Sequence, residues 1–327
     1  MSRFTPGEHS YVAANGLNFT YRVVAPSRKG GPSTGPEAST PADLIIIHPP
    51  AWGLGSRYLC TGLAPLAEEG ADRYSGSTLL FFHPRGTDGS TLPDCDDPQD
   101  HAVMSPFTLA SDLEHLRSHL GLDRFPTLLG HSNGGTIALC YAELFPSRVR
   151  NLILISHRLL SHDDLPNFLR CQRQRRGDSR FEAAYAAYAR GAKGAADDAE
   201  FMRFCRAIAP LYFYSPETHL PTFLDNIGDG TLAGSARCSR WVDAGNRRTD
   251  VRQLMKLKLK DVTARTLVIF GREDAQCSVQ NAWETVRELP AGAETAILPE
   301  CGHIPWIEQP TATFEAIRRF LTHQRGC

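Results

Sequence analysis

A serine stands between a histidine and an asparagine in Gly130-His131-Ser132-Asn133-Gly134, with a further glycine at 135. The apolar run PTLLG (126–130) leads into it, and the helix-period stretch TIALCYAELF follows. A serine at a sharp strand-to-helix junction suits nucleophilic chemistry. Its hydroxyl projects at the carboxyl end of the strand, and the following helix aims its amides at the same point. Gly130 and Gly134 remove β-carbons that would collide in so tight a turn. The competing explanation of Ser132 is a side-chain cap on an ordinary helix.

A serine hydroxyl needs a base, and the base needs an acid to orient it. Where a G-x-S-x-G turn of this kind carries the nucleophile, these follow in the order serine, acid, histidine, each just beyond a strand. TLVIFGREDAQCS (266–278) offers Asp274, with Glu273 as the neighbouring alternative. LPECGHIPWIEQP (298–310) offers His303 between the last strand and the last helix. Taken singly, Asp274 reads equally well as a solvated or capping residue and His303 as a surface residue. Order and strand-end placement together single them out. The remaining histidines lack such a setting: His131 lies inside the turn and reads as structural, His115 and His119 sit on a helix, and His157, His162 and His219 fall in or near an inserted segment.

The elements that must position these residues are legible in the hydrophobic pattern. DLIIIHP (43–49), TLLFFHP (78–84), PTLLG (126–130), NLILIS (151–156), TLVIFG (266–271) and TAILP (295–299) are short continuous apolar runs, as expected of strands covered on both faces. Helical stretches lie between several of them. TLASDLEHLRSHL (108–120) places Leu109, Leu113, Leu116 and Leu120 on one face, and VQNAWETVREL (279–289) and ATFEAIRRFL (312–321) are similar. HSYVAANGLNFTYRVVA (9–25) reads as a hairpin turning at Asn15-Gly16, and residues 26–42 as a surface loop rich in Pro, Gly, Ser and Thr. Alternating buried strands and helices predict an α/β fold with a mostly parallel, doubly wound sheet. The alternation breaks between about 158 and 262, where the chain is helix-rich. The expected division is a first core part, 1–157, a helical lid, 158–262, and a second core part, 263–327.

Composition bounds the function classes. With 42% hydrophobic and 22% charged residues, the 327-residue chain can bury a large core. A formal net charge of −1, with no basic stripe, argues against nucleic acid as a partner. The nine cysteines are odd in number and scattered, and they form no C-x-x-C pair. They read as reduced thiols of a cytoplasmic protein, and they offer neither a disulfide frame nor a metal site. No apolar run is long enough to span a membrane, and MSRFTPGEHSYV carries no apolar signal core. The sequence is silent on oligomeric state.

GHSNGG (130–135), GREDAQC (271–277), CGHIPW (301–306) and HPRGTDGS (83–90) together resemble the α/β-hydrolase superfamily over nearly the whole chain. The last resembles that family's D-x-R-G-x-G-x-S loop, with His83-Pro84 replacing its usual start. APLYFYS (209–215) and YAELFPSRV (141–149) are similar to the fungal branch labelled proline-iminopeptidase-like. The resemblance implies an α/β-hydrolase fold with an inserted helical lid. It also implies an oxyanion hole built from one amide after the serine, that of Asn133, and one from the loop after the third strand. Here that loop reads His48-Pro49-Pro50-Ala51-Trp52-Gly53, and neither proline has an N–H to donate. The second donor falls to Ala51 or Trp52, unless the loop is a plain structural turn.

The expected chemistry is that of a serine hydrolase without metal or organic cofactor. Ser132, Asp274 and His303 would carry it through an acyl-enzyme. A serine at this position argues against epoxide-hydrolase or dehalogenase chemistry, which the family performs with an aspartate. Aromatic residues of the lid could line the pocket, with Trp52, Tyr185, Tyr212, Tyr214 and Trp241 as the candidates. They equally suit the lid's own core. The expected substrate is a small apolar ester, lactone or thioester. The alternatives are a proline-iminopeptidase type of aminopeptidase, and a non-hydrolytic catalyst or ligand-binding protein using the same pocket, with natural-product biosynthesis as the setting the resemblance suggests.

Overall fold

A computed structural model describes residues 3–26, 43–69, 76–93, 101–191, 195, 197–227 and 235–322. The Pro/Gly-rich loop expected at 26–42 lies outside the described residues apart from Pro26. Eight strands are described: β1 (Gly7–Val12), β2 (Asn18–Val24), β3 (Leu44–His48), β4 (Thr78–His83), β5 (Phe125–His131), β6 (Val149–Ile155), β7 (Arg265–Gly271) and β8 (Glu294–Leu298). They form one sheet in the order β1-β2-β4-β3-β5-β6-β7-β8. The first two join antiparallel, with Gly16 at φ +80° in their turn, and β2 pairs antiparallel with β4. All later pairings are parallel. Strand side chains alternate faces, and the core divides accordingly. Leu44, Ile46, Leu80, Phe82, Leu128, Leu152 and Val268 fill one side, while Ile45, Ile47, Leu79, Phe81, Leu129, Ile153 and Leu267 fill the other.

Helices cover both faces. Those before the inserted segment are α1 (Arg57–Gly62), α2 (Pro106–Leu120) and α3 (Asn133–Leu144). The insertion carries α4 (Leu165–Gln174), α5 (Ser179–Arg190), α6 (Asp198–Ile208), α7 (Pro216–Ile227), α8 (Ala236–Arg247) and α9 (Thr249–Lys258). The chain then returns through α10 (Val279–Glu288), α11 (Pro305–Glu308) and α12 (Pro310–Thr322). Helix α2 shows why such segments fold locally. Ser105 accepts the Thr108 amide at its start, Pro106 occupies the first turn, and Gly121 ends it at φ +71°. Leu109, Leu113, Leu116 and Leu120 are all buried against the sheet.

The chain leaves the sheet after Ile155 and returns at Arg265, and α4 to α9 fill the interval. Part of this insertion has its own small core of Phe168, Phe181, Tyr185, Ile208 and Leu211. Helix α8 differs: its Cys238 and Val242 are fully buried in the main core. The HPRGTDGS loop is pinned to α2 by a forked pair, Arg85 Nε and Nη2 to the two oxygens of Asp112 at 2.6 and 2.7 Å. Among the described residues no helix is long and apolar enough to cross a membrane, and no group of His, Cys, Asp or Glu is arranged to hold a metal ion.

Candidate active site

Ser132 is the single residue between β5 and α3, held at φ +56° and ψ −126°. A non-glycine residue rarely adopts that backbone, and it persists only where its surroundings enforce it. Here the Ser132 N–H donates to the Ile155 carbonyl of the neighbouring strand at 2.9 Å. A β-carbon on Gly130 would lie 2.3 Å from the Gly134 carbonyl oxygen, and one on Gly134 would lie 2.3 Å from that of His48. The hydroxyl of Ser132 makes no capping bond to α3. The helix-cap explanation therefore fails. The neighbouring Cys277 is fully buried and its thiol pKa is pushed well up, so the group beside Ser132 is a neutral S–H.

Asp274 sits in the loop after β7 and is almost completely buried. Its Oδ1 accepts the amides of Gln276 and Cys277 at 2.8 and 3.0 Å. Its Oδ2 lies 2.8 Å from His303 Nδ1. A carboxylate can only accept, so Nδ1 carries the proton and Nε2 presents a lone pair. Glu273, the neighbouring alternative, turns away: its Oε2 accepts the Cys301 amide at 3.1 Å. Ser132 and His303 line one cavity, but no hydrogen bond joins them in this structure. In serine-nucleophile sites this contact tightens as substrate binds.

Four groups hold the histidine and its loop, and sequence reasoning missed two of them, Tyr58 and Glu308. The His303 N–H donates to the Tyr212 carbonyl of the insertion at 2.6 Å. The His303 carbonyl lies 3.0 Å from His131 Nε2, which must therefore donate. His131 Nδ1 is left to accept the Tyr58 hydroxyl proton at 2.8 Å. Burial holds the His131 pKa well below its ordinary value, so the ring is neutral. Glu308 accepts the amides of Tyr214 and Ser215 on one oxygen, at 2.8 and 3.1 Å, and of Gly302 on the other, at 2.5 Å. Burial raises its pKa, and the three amides oppose that shift. A lone carboxylate in the apolar run IPWIEQP was the available signal for Glu308. Tyr58 had none.

The loop after β3 packs directly on the start of α3. Pro50 offers only a carbonyl, and that carbonyl accepts Asn133 Nδ2 at 2.8 Å. Asn133 Oδ1 in turn accepts Asn246 Nδ2 from α8 at 2.8 Å. Ala51 stands at φ +57°. The backbone amides of Ala51, Trp52 and Asn133 have no protein acceptor among the described residues. Pro50, Trp52 and Asn133 line the cavity with Ser132, whereas Ala51 is packed into the core behind them.

The cavity has a volume of about 340 Å³. Of the expected aromatic wall it takes Trp52 and Tyr212. Tyr185, Tyr214 and Trp241 lie off it, and each has a packing reason. Tyr185 faces Phe168 in the insertion's own core, with ring centres 5.7 Å apart. Tyr214 is partly exposed, and its amide is held by Glu308. Trp241 is covered by the Arg237 guanidinium, 4.3 Å from its ring. Tyr58, Phe168, Tyr188 and Phe223 line the cavity instead. The wall is also less apolar than expected, because Arg158, Asp163, Asp164, Asp243 and Arg247 contribute to it.

Comparison with known proteins extends this picture. A model of the alpha/beta hydrolase fold matches residues 44–310. A probable proline iminopeptidase from Leptolyngbya boryana is 26% identical over 250 residues, covering 69% of this chain and 72% of that protein. A proline iminopeptidase from Lactobacillus delbrueckii subsp. bulgaricus is 26% identical over 296 residues, covering 88% and 92%. Among solved structures, the proline iminopeptidase of Mycobacterium smegmatis aligns with a TM-score of 0.67 at 19% identity, over 96% of this chain and 98% of that one. The enol-lactonase of Burkholderia xenovorans LB400 aligns with a TM-score of 0.62 at 18% identity, over 96% and 100%. At such identities the structural likeness speaks for the fold alone. The family match, spanning most of the chain and both loops that hold Asp274 and His303, makes this protein a member of the alpha/beta hydrolase fold family.

Proposed function

We propose that the protein is a serine hydrolase cleaving an ester, lactone or thioester of a small organic substrate, with Ser132 as nucleophile, His303 as base and Asp274 as its orienting acid. Ser132 Oγ attacks the carbonyl carbon and its proton passes to His303 Nε2. The carbonyl electron pair moves onto oxygen, which the amides of Asn133 and Ala51 or Trp52 stabilise. As the tetrahedral centre collapses, the bond to the leaving oxygen or sulfur breaks and that atom takes the proton from His303. Water then repeats the sequence and releases the acid. The observation that supports this reading best is the buried 2.8 Å bond from His303 Nδ1 to Asp274, which leaves Nε2 as a free base on the wall shared with Ser132.

A fluorophosphonate probe tests it. Wild-type protein is expected to label on Ser132, and Ser132→Ala is expected to remain unlabelled. Absence of labelling in the wild type would sink the reading. A second reading, aminopeptidase activity, is favoured by the relatives named as proline iminopeptidases and by the acidic groups Asp163, Asp164 and Asp243 on the cavity wall, which could hold an ammonium group. Turnover of aryl esters against a prolyl arylamide separates the two.

A further inference from the structure

In this protein the loop expected to form half of the oxyanion hole cannot be fastened by its own first amides, because Pro49 and Pro50 have none. Its carbonyl at Pro50 is held by a side chain instead. Because a carbonyl only accepts, the orientation of Asn133 is fixed: Nδ2 faces Pro50, and Oδ1 faces away and needs a donor. That donor is Asn246 Nδ2, 2.8 Å away on helix α8. The same helix grips the loop twice more. Asp243, one turn earlier, accepts Trp52 Nε1 at 3.0 Å, and the Ser235 amide at the helix cap donates to the Gly53 carbonyl at 2.8 Å. Between these grips stands Ala51 at φ +57°, a conformation its neighbours must impose.

We infer that helix α8 is a working part of the oxyanion site, and that Asn246 is a positioning residue which, through Asn133, holds the Pro50–Trp52 loop in register with Ser132. The inference rests on the serine-hydrolase reading above. Helix α8 suits the task because it is itself anchored. Cys238 and Val242 are fully buried in the main core, and Gly245 sits so close to the Met104 carbonyl oxygen that a β-carbon would lie 2.9 Å from it. Asn246 is a costly choice for a purely structural role. It is 6% exposed, and its Oδ1 has no partner among the described residues. A buried acceptor without a donor weakens a fold. An apolar residue of similar shape would remove that orphaned acceptor, but it would leave Asn133 Oδ1 without its donor and could not hold Asn133.

The test is Asn246→Leu in the full chain, assayed with an aryl ester and with an arylboronic acid. The boronate adds to the serine oxygen as a tetrahedral adduct, and its hydroxyl occupies the oxyanion position. The expected result is a fall in kcat of about 10- to 100-fold, with KM within about twofold of wild type. Boronate affinity should weaken by a similar factor, while Tm should fall by only a few degrees, because one orphaned acceptor, Asn133 Oδ1, replaces another, Asn246 Oδ1. Unchanged kcat and boronate affinity in a variant whose wild type reacts with fluorophosphonate would overturn this inference alone. Loss of folded protein at the assay temperature large enough to account for the fall in kcat would do the same, because it would make Asn246 a structural residue. A wild type that neither reacts with fluorophosphonate nor binds the boronate removes the hydrolase reading and this inference together.

Discussion

Asp274 satisfies two loop amides with one oxygen and the imidazole with the other, so its two oxygens have different duties. Asp274→Asn is predicted to keep its carbonyl on the amides of Gln276 and Cys277. The new NH2 then meets His303 Nδ1, which can accept only if the ring proton moves to Nε2. The base lone pair facing the cavity is lost. We expect kcat to fall by about 10⁴ with little change in Tm, checked by steady-state kinetics beside thermal melts. At this scale the sequence pointed to Ser132, Asp274 and His303 by residue type and order at strand ends, and the structure bonds Asp274 to His303 and sets His303 and Ser132 on one cavity wall. The sequence was silent on Asn246, Asp243 and Tyr58, whose roles depend on contacts 73 to 191 residues away along the chain. Aromatic type alone could not separate Trp52 and Tyr212, which face the cavity, from Tyr185, which faces its own helix neighbours.

The elements were legible for a different reason. Strands covered on both faces need unbroken apolar runs, and such runs are visible without tertiary knowledge. The roles of the inserted helices were not visible, because amphipathic periodicity tells that a face is buried and not against what. The loops at the strand ends depend on glycines in a way the structure makes quantitative. A β-carbon on Gly271 would lie 2.0 Å from the Gly302 carbonyl oxygen and 2.3 Å from that of Cys301. Both are backbone atoms of the His303 loop. Gly271→Ala is therefore predicted to push the Asp274 and His303 loops apart. It should lower stability by about 1–3 kcal/mol, read by denaturant titration, and it should reduce kcat beyond what the loss of folded protein explains.

On the scale of the whole molecule, burial holds His48, His131 and His157, at or just past the ends of β3, β5 and β6, uncharged among the described residues, and their effect on stability is collective. Burial lowers the pKa of His48 to about 4 and of His157 to about 3, and it holds His131 well below the ordinary value. In the unfolded chain each protonates near pH 6.5. Between that pH and their folded values, the unfolded state binds more protons than the native one. Stability contributed by these residues is complete above pH 6.5 and declines as pH falls. His48 alone accounts for roughly 3 kcal/mol at pH 4. We predict a Tm that drops steadily from pH 6.5 to 4 with proton uptake on unfolding, and a shallower drop in His157→Gln.

The insertion is not uniform in what it does for the core. Residues 212–215 shape the His303 loop, Asn167 of α4 donates to the Asp274 carbonyl at 2.9 Å, and α8 grips the loop after β3. Helix α5 makes no hydrogen bond to any of these loops among the described residues, yet it places Tyr188 on the cavity wall. Chimaeras that transplant the whole insertion from a relative would break these contacts to the Ser132, Asp274 and His303 loops along with replacing the cavity wall. Under the serine-hydrolase proposal, grafts confined to 179–190 offer a way to retune which molecules are accepted while Ser132, Asp274 and His303 stay where they are.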